Sequence, residues 1–150
     1  MFIRRLLVPV DFSPRSMHAL DYAFQLAAAA GAEVDVLHVV PGPGQLRSAV
    51  DGYLGRPMPH AKSDTLAQAR LELQEFVERV AHRGIAPRLL VDSGDAAAVI
   101  VRTTAQNVVD LVVMATRGHR GAAELLLGSV AHKVITCARC PVLTLATGPT

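Results

Sequence analysis

Asp11, the turn Ala115-Thr116-Arg117-Gly118 and the pair Gly128-Ser129 are the residues whose types and spacing suggest chemistry in this 150-residue chain. Gly118, Gly121 and Gly128 punctuate this stretch, and Ser129 is followed by Val130, Val134 and Ile135 at helical spacing. A helix that starts at a glycine and a serine offers unpaired backbone N–H groups, a hydroxyl and close access, which suits a phosphate chain. Arg117 and Arg120 would add positive charge beside it. The same pattern also fits a plain strand, loop and capped helix with no ligand. Asp11 is open in the same way: it is either a ligand-contacting carboxylate or a turn residue favoured by the dipole of the helix that follows.

Other chemistries are poorly served. The sole cysteines, Cys137 and Cys140, form one CxxC, and neither a second CxxC nor an HxxxH pair is present to complete a zinc site. A thioredoxin-like pair belongs early in the chain, after the first strand, so this one reads as structural or incidental. His38 has no spaced second ligand and reads as a histidine at the edge of the core. The Walker pattern GxxxxGK(S/T) is absent, and no activated nucleophile or general base is apparent in the loops. With a net charge of +2, no dense basic run, two Tyr and four Phe, the chain is not built to bind nucleic acid. Nor does any stretch approach the ~20 uninterrupted apolar residues of a membrane span. The N-terminus lacks a signal-peptide layout, so a cytoplasmic protein is expected.

The elements that must position these residues alternate along the chain. Hydrophobic content of 51% in a single-domain length allows a core of Val, Leu, Ile and Ala. Ile3 to Val10 reads as a strand; Ser13 and Pro14 then form an N-cap and first helical position for a helix ending at Gly31. Met17, Leu20, Ala23, Phe24, Ala27 and Ala28 form its inner face. Val34 to Val40 gives a second strand, and the Pro/Gly-rich 41–60 segment a flexible or functional loop. An amphipathic helix follows over Ala61–Arg83, with Leu66, Leu73, Phe76, Val77 and Val80 inward and its charges solvated. Pro87–Val91 is a third strand, Asp92-Ser93-Gly94-Asp95 caps a helix ending near Asn107, and Val109–Met114 is the fourth strand. After the Gly128-Ser129 helix, Pro141–Leu145 supplies a fifth strand and Thr147–Thr150 a frayed tail. Such alternation predicts a parallel α/β sheet with right-handed crossovers, in one domain spanning 1–150. Asp11, the end of the second strand at Val39 and the Ala115–Gly118 turn would then meet at the carboxyl edge of the sheet, where open α/β folds bind ligands. That convergence makes a nucleotide site the preferred reading.

The chain resembles the universal stress proteins of the ATP-binding, UspA-like type over almost its whole length. Their signature is G-x2-G-x9-G-(S/T) after the fourth strand, and Gly118 with Gly128-Ser129 reproduces its longer part. The segments LLVPVDFS, LHVV, VMATRG and CPVLTL match in order and spacing. The resemblance implies a three-layer α/β/α domain with a five-stranded parallel sheet, Rossmann-like and akin to the adenine nucleotide alpha hydrolases. It implies a homodimer formed through the last strand, 141–146. Adenine is expected near Pro9, Val10, Asp11 and Val39. Ribose and phosphates are expected along Met114, Ala115, Thr116, Arg117 and Gly118, then Gly128, Ser129 and Val130. Ala115 stands where the signature has its first glycine. If that position needs positive φ, alanine costs on the order of 1–2 kcal/mol; otherwise its methyl group only narrows the approach.

Three functions follow from this reading. The first is an ATP-binding, dimeric stress-response module whose ligand state a partner protein reads. The second is a slow ATPase or phosphotransferase using Asp11 or Ser129, with Mg²⁺ bridging the phosphates. The third is a dimeric scaffold that has lost its nucleotide.

Overall fold

The computed structural model describes residues 2–42, 62–116 and 127–146. Strand β1 (Arg5–Val10) leads into helix α1 (Pro14–Ala30), and β2 (Glu33–Pro41) precedes α2 (Lys62–Glu78). The chain continues through β3 (Arg88–Gly94), α3 (Ala96–Gln106), β4 (Leu111–Ala115), α4 (Ser129–Cys137) and β5 (Val142–Leu145). The five strands form one sheet in the order β3-β2-β1-β4-β5, and every neighbouring pair is parallel.

The two faces of the sheet are covered by different helices. Leu6, Val8, Val34 and Val36 pack on one face against Leu20, Phe24 and Ala27 of α1 and Leu73, Phe76 and Val77 of α2. Leu7, Leu37, Val112 and Met114 pack on the other against Val99 and Ile100 of α3 and Ala131 and Val134 of α4. This is the three-layer α/β/α arrangement that the resemblance implies, built on the parallel sheet that the alternating elements predict. The strands are covered on both sides, which explains why β1 and β4 read as near-continuous apolar runs.

Local signals at α1 act as expected: Ser13 accepts the Ser16 amide, Pro14 opens the helix, and Gly31 closes it at φ 66°. Ala28 departs from its expected place: it is exposed, and Ala19 and Ser16 are buried on the inner face instead. Helix α2 also stops earlier than Arg83. Its last turn tightens, with Arg79 N bonded to Phe76 O and Val80 N to Val77 O, and a ring nitrogen of His82 takes the Val77 carbonyl. Arg83 and Gly84 then turn the chain at φ 52° and 81°. Val80 stays buried although it lies past the helix.

Strand β3 runs on to Gly94 because its pairing with β2 continues as far as Pro41↔Gly94. Only Asp95 of the expected Asp92–Asp95 cap serves α3, its carboxylate accepting Ala98 N at 3.0 Å. In α4 the buried residues are Ala131 and Val134, while Val130 and Ile135 are 36% and 43% exposed, so the apolar stripe sits one step from its expected place. The 43–61 segment, which holds most of the expected loop, and the 147–150 tail lie outside the described residues.

Candidate functional site

Strand order places β1 between β2 and β4, so the connections leaving β1 and entering β4 run to opposite sides of the sheet. A crevice opens at the carboxyl ends of strands where the winding reverses in this way. A cavity of about 860 Å³ occupies that position. It is lined by Pro9, Val10, Asp11, Val39, Met114, Ala115, Thr116, Gly128, Ser129 and Val130, ten of the twelve residues singled out from the sequence. The other two, Arg117 and Gly118, lie outside the described residues, as do Arg120 and Gly121.

One side of the cavity is apolar. Leu37, Val39, Ile100 and Met114 meet there on the face of the sheet covered by α3 and α4. Such a wall can accept the faces of a flat ring at a gain of roughly 25 cal/mol for each Å² removed from water.

The other side is made of helix starts. Residues from the first turns of α1, α3 and α4 all line the cavity, through Arg15 and Ser16, Ala96, and Ser129 to Ala131. In α1 and α3 a side chain caps the helix: Ser13 Oγ accepts Ser16 N at 3.2 Å, and Asp95 caps α3. Helix α4 differs. Its N-cap is Gly128, with no side-chain hydrogen bond, and the first intrahelical donor is His132 N to Gly128 O at 2.9 Å. The amides of Ser129, Val130 and Ala131 thus lack partners within the helix, and the positive end of its dipole faces the cavity. An anion placed there would receive N–H groups at no cost in side-chain ordering.

Asp11 lies at the end of β1, where its carboxylate accepts Ser13 N at 3.1 Å. Ala115 closes β4, paired with Leu145, and its φ is not positive. Alanine at this signature position therefore carries no left-handed strain, and only its methyl group distinguishes it from glycine. Thr116 is buried; both its amide, at 3.1 Å, and its hydroxyl, at 3.3 Å, donate to Leu145 O.

Several lining residues escaped the sequence reading: Ser13, Arg15, Ser16, Leu37, His38, Ala96, Ile100, Leu127 and Ala131. Ser16 and Arg15 follow from one available signal, the first turn of a helix that begins at the sheet edge. Leu37 and Ile100 had none, because a cavity wall and a core position look alike in sequence. His38 is half-buried at the edge of the core as expected, with Nδ1 donating to Val10 O at 2.9 Å. Phe12, beside Asp11, holds a φ of 62°, a conformation that costs a non-glycine residue on the order of 1 kcal/mol.

The CxxC lies away from the cavity wall. Cys137 ends α4 and is exposed; Cys140 is half-buried before β5, and burial, with the Asp110 charge second, pushes its thiol pKa up. Among the described residues no group of three or more His, Cys, Asp or Glu side chains could hold a metal ion. No described helix is long and apolar enough to cross a membrane.

The architecture is that of a doubly wound α/β domain, and comparison with known proteins gives it a family. Residues 2–145 match the model of the universal stress protein family. The universal stress protein YxiE of Bacillus subtilis is 31% identical over 93% of this chain and 96% of its own length. Among solved structures, universal stress protein MJ0577 of Methanocaldococcus jannaschii superposes with a TM-score of 0.77 at 23% identity, over 100% of both chains. A universal stress protein from Archaeoglobus fulgidus, solved in complex with dAMP, superposes with a TM-score of 0.66 at 25% identity, over 96% of this chain and 98% of that one. The chain belongs to the universal stress protein family.

Proposed function

We propose that the cavity at the carboxyl edge of the sheet binds an adenine nucleotide, with ATP as the ligand. The observation that carries this reading is the pairing of an apolar slot with the glycine-capped N-terminus of α4 in one cavity. Adenine lies against Val39, Leu37 and Met114, with Pro9, Val10 and Asp11 at its edge; Asp11 accepts from the amino group or from a ribose hydroxyl. The ribose runs past Ala115 and Thr116, and the phosphates reach the amides of Ser129 and Val130, joined by Gly128 and the Ser129 hydroxyl. Arg117 and Gly118 complete the phosphate end by their place in the signature. Mg²⁺, where present, is carried on the phosphates. The dAMP complex of the Archaeoglobus fulgidus relative supports an adenine nucleotide in this family.

The protein acts as a nucleotide-holding module of the cytoplasm whose occupancy a partner protein reads. Strand β5 supports assembly into a homodimer through 141–146: it is an edge strand of four half-buried residues, which leaves one side of its backbone free to pair. Mass spectrometry of freshly purified protein, denatured just before injection, tests the nucleotide. A co-released ATP or other adenine nucleotide is the expected result. A protein that releases none, and also takes none up when soaked in millimolar ATP, would defeat the reading.

A further inference from the structure

At the cavity's edge one histidine, itself among the lining residues, holds the chain on both sides of Asp11. His38 donates from Nδ1 to the carbonyl of Val10, the residue before Asp11, at 2.9 Å. Its ring stacks on Phe12, the residue after Asp11, with centroids 4.1 Å apart and planes inclined by 23°. Phe76 of α2 closes the far side of Phe12 at 5.4 Å and 58°. Phe12 packs with the α1–α2 core, whereas Asp11 and Ser13 line the cavity, so three consecutive residues alternate between the two faces.

The backbone at Phe12 adopts φ 62°, a region side chains other than glycine rarely enter. Capping α1 does not demand a phenylalanine there, because Ser13 supplies the cap. What the left-handed residue does is turn the chain sharply between strand and helix, so that the Asp11 carboxylate folds back onto Ser13 N at 3.1 Å beside the cavity. Strained backbone persists only where its surroundings over-determine it. Here the surroundings are the His38 hydrogen bond and the two ring contacts.

We propose that Phe12 and His38 form a clamp that orients Asp11 toward the ligand, both acting through Asp11 as positioning residues. The inference rests on the nucleotide reading of the cavity for its functional meaning, but the clamp has a signature of its own. Ser13 N–H donates to the Asp11 carboxylate, so the rate at which the Ser13 amide exchanges with solvent reads whether that bond is held.

The test is a double-mutant cycle in ATP affinity, with Phe12→Leu and His38→Leu each made in the native protein and in Asp11→Ala. Each is expected to weaken ATP binding about tenfold alone, and by less than about twofold once Asp11 is gone, because residues acting through one group are not additive. Phe12→Tyr keeps the ring and His38→Gln keeps an N–H donor for Val10 O; both are expected to retain most of the affinity, which loss of general stability alone would not produce. Exchange of the Ser13 amide is expected to quicken in Phe12→Leu and to stay at the native rate in Phe12→Tyr. Equal losses with and without Asp11, or a Ser13 amide exchange that Phe12→Leu leaves unchanged, overturn the clamp. A native protein that takes up no ATP, yet exchanges its Ser13 amide faster on Phe12→Leu, sinks the nucleotide reading and upholds the clamp.

Discussion

The two ends of the sheet are built to opposite purposes. At the amino edge, charged groups meet one another. The Asp35 carboxylate, 2% exposed, receives Arg88 through two bonds of 2.9 and 2.6 Å and Asn107 Nδ2 at 3.2 Å. Arg5 donates to Asn107 O and pairs with Glu33, and Asp110 accepts the amides of Arg4 and Arg5 at 2.8 and 2.9 Å. These contacts join the starts of β1, β2 and β3 to the entry of β4. At the carboxyl edge the same strands end around a cavity, with a strained Phe12, a glycine-capped α4 and an apolar wall. One edge fastens the fold. The other holds open a place where polar backbone and apolar side chains face the same volume.

Substitutions at the two edges should therefore separate stability from binding. The largest stability effect is expected from Arg88→Ala, which strands the buried Asp35 carboxylate with Asn107 alone. Breaking a pair with one buried member should lower stability by about 3 kcal/mol, near the bottom of the range for buried pairs because the arginine side chain is half exposed. Urea denaturation would read it, and ATP affinity should hold within about twofold. An unchanged urea midpoint would mean that the amino-edge network is not what fastens the sheet.

Asp11→Ala should do the reverse. Loss of a hydrogen bond to a charged group weakens ATP binding roughly tenfold or more, with stability changed by less than about 1 kcal/mol. Titration calorimetry on protein of matched stability would measure it.

A smaller effect, confined to acid, is expected at Asp110. Hydrogen bonds from the Arg4 amide and then the Arg5 amide hold its carboxyl pKa below the ordinary 3.8. Its contribution to stability is present above that ordinary value and is lost as pH falls through the lowered folded value. Asp110→Asn should therefore be less stable than the native protein at neutral pH, with the gap closing below about pH 4. A gap that stays constant down to pH 2 would show that charge on Asp110 is not the cause. Smallest of all is Ala115→Gly. Position 115 has no positive φ, so only a methyl group is removed, and ATP affinity should move by no more than about twofold. A large gain would instead mean that the methyl group blocks the approach to the ligand.

The carboxyl edge was the more legible of the two. Asp11, Val39, Ala115 and Gly128-Ser129 sit where strands end or helices begin, and those positions are marked by Pro, Gly and Ser, whose backbone preferences act locally. The amino edge was not legible, because its network depends on register. Asp35 stands inside the apolar run VDVLHVV and gives no local sign that Arg88 of β3 will lie opposite it, as the pairing Asp35↔Arg88 places it. Register also decided the end of β3, whose ladder absorbed Asp92-Ser93-Gly94 that on their own read as a cap. The clamp at Phe12 was hidden for a different reason: a bulky residue at positive φ is held there by partners distant in sequence, His38 and Phe76. Likewise α2 stopped short of Arg83 because a histidine beyond it satisfied a carbonyl of its last turn, a contact that helical periodicity does not report.

Equilibrium dialysis of labelled ATP against the native protein and Asp11→Ala, side by side, tests the central claim most directly. Saturable uptake by the native protein, displaced by unlabelled ATP and weakened at least about tenfold in the variant, is the predicted result. No uptake at millimolar ATP, or uptake that Asp11→Ala leaves untouched, would contradict an adenine nucleotide at the carboxyl edge.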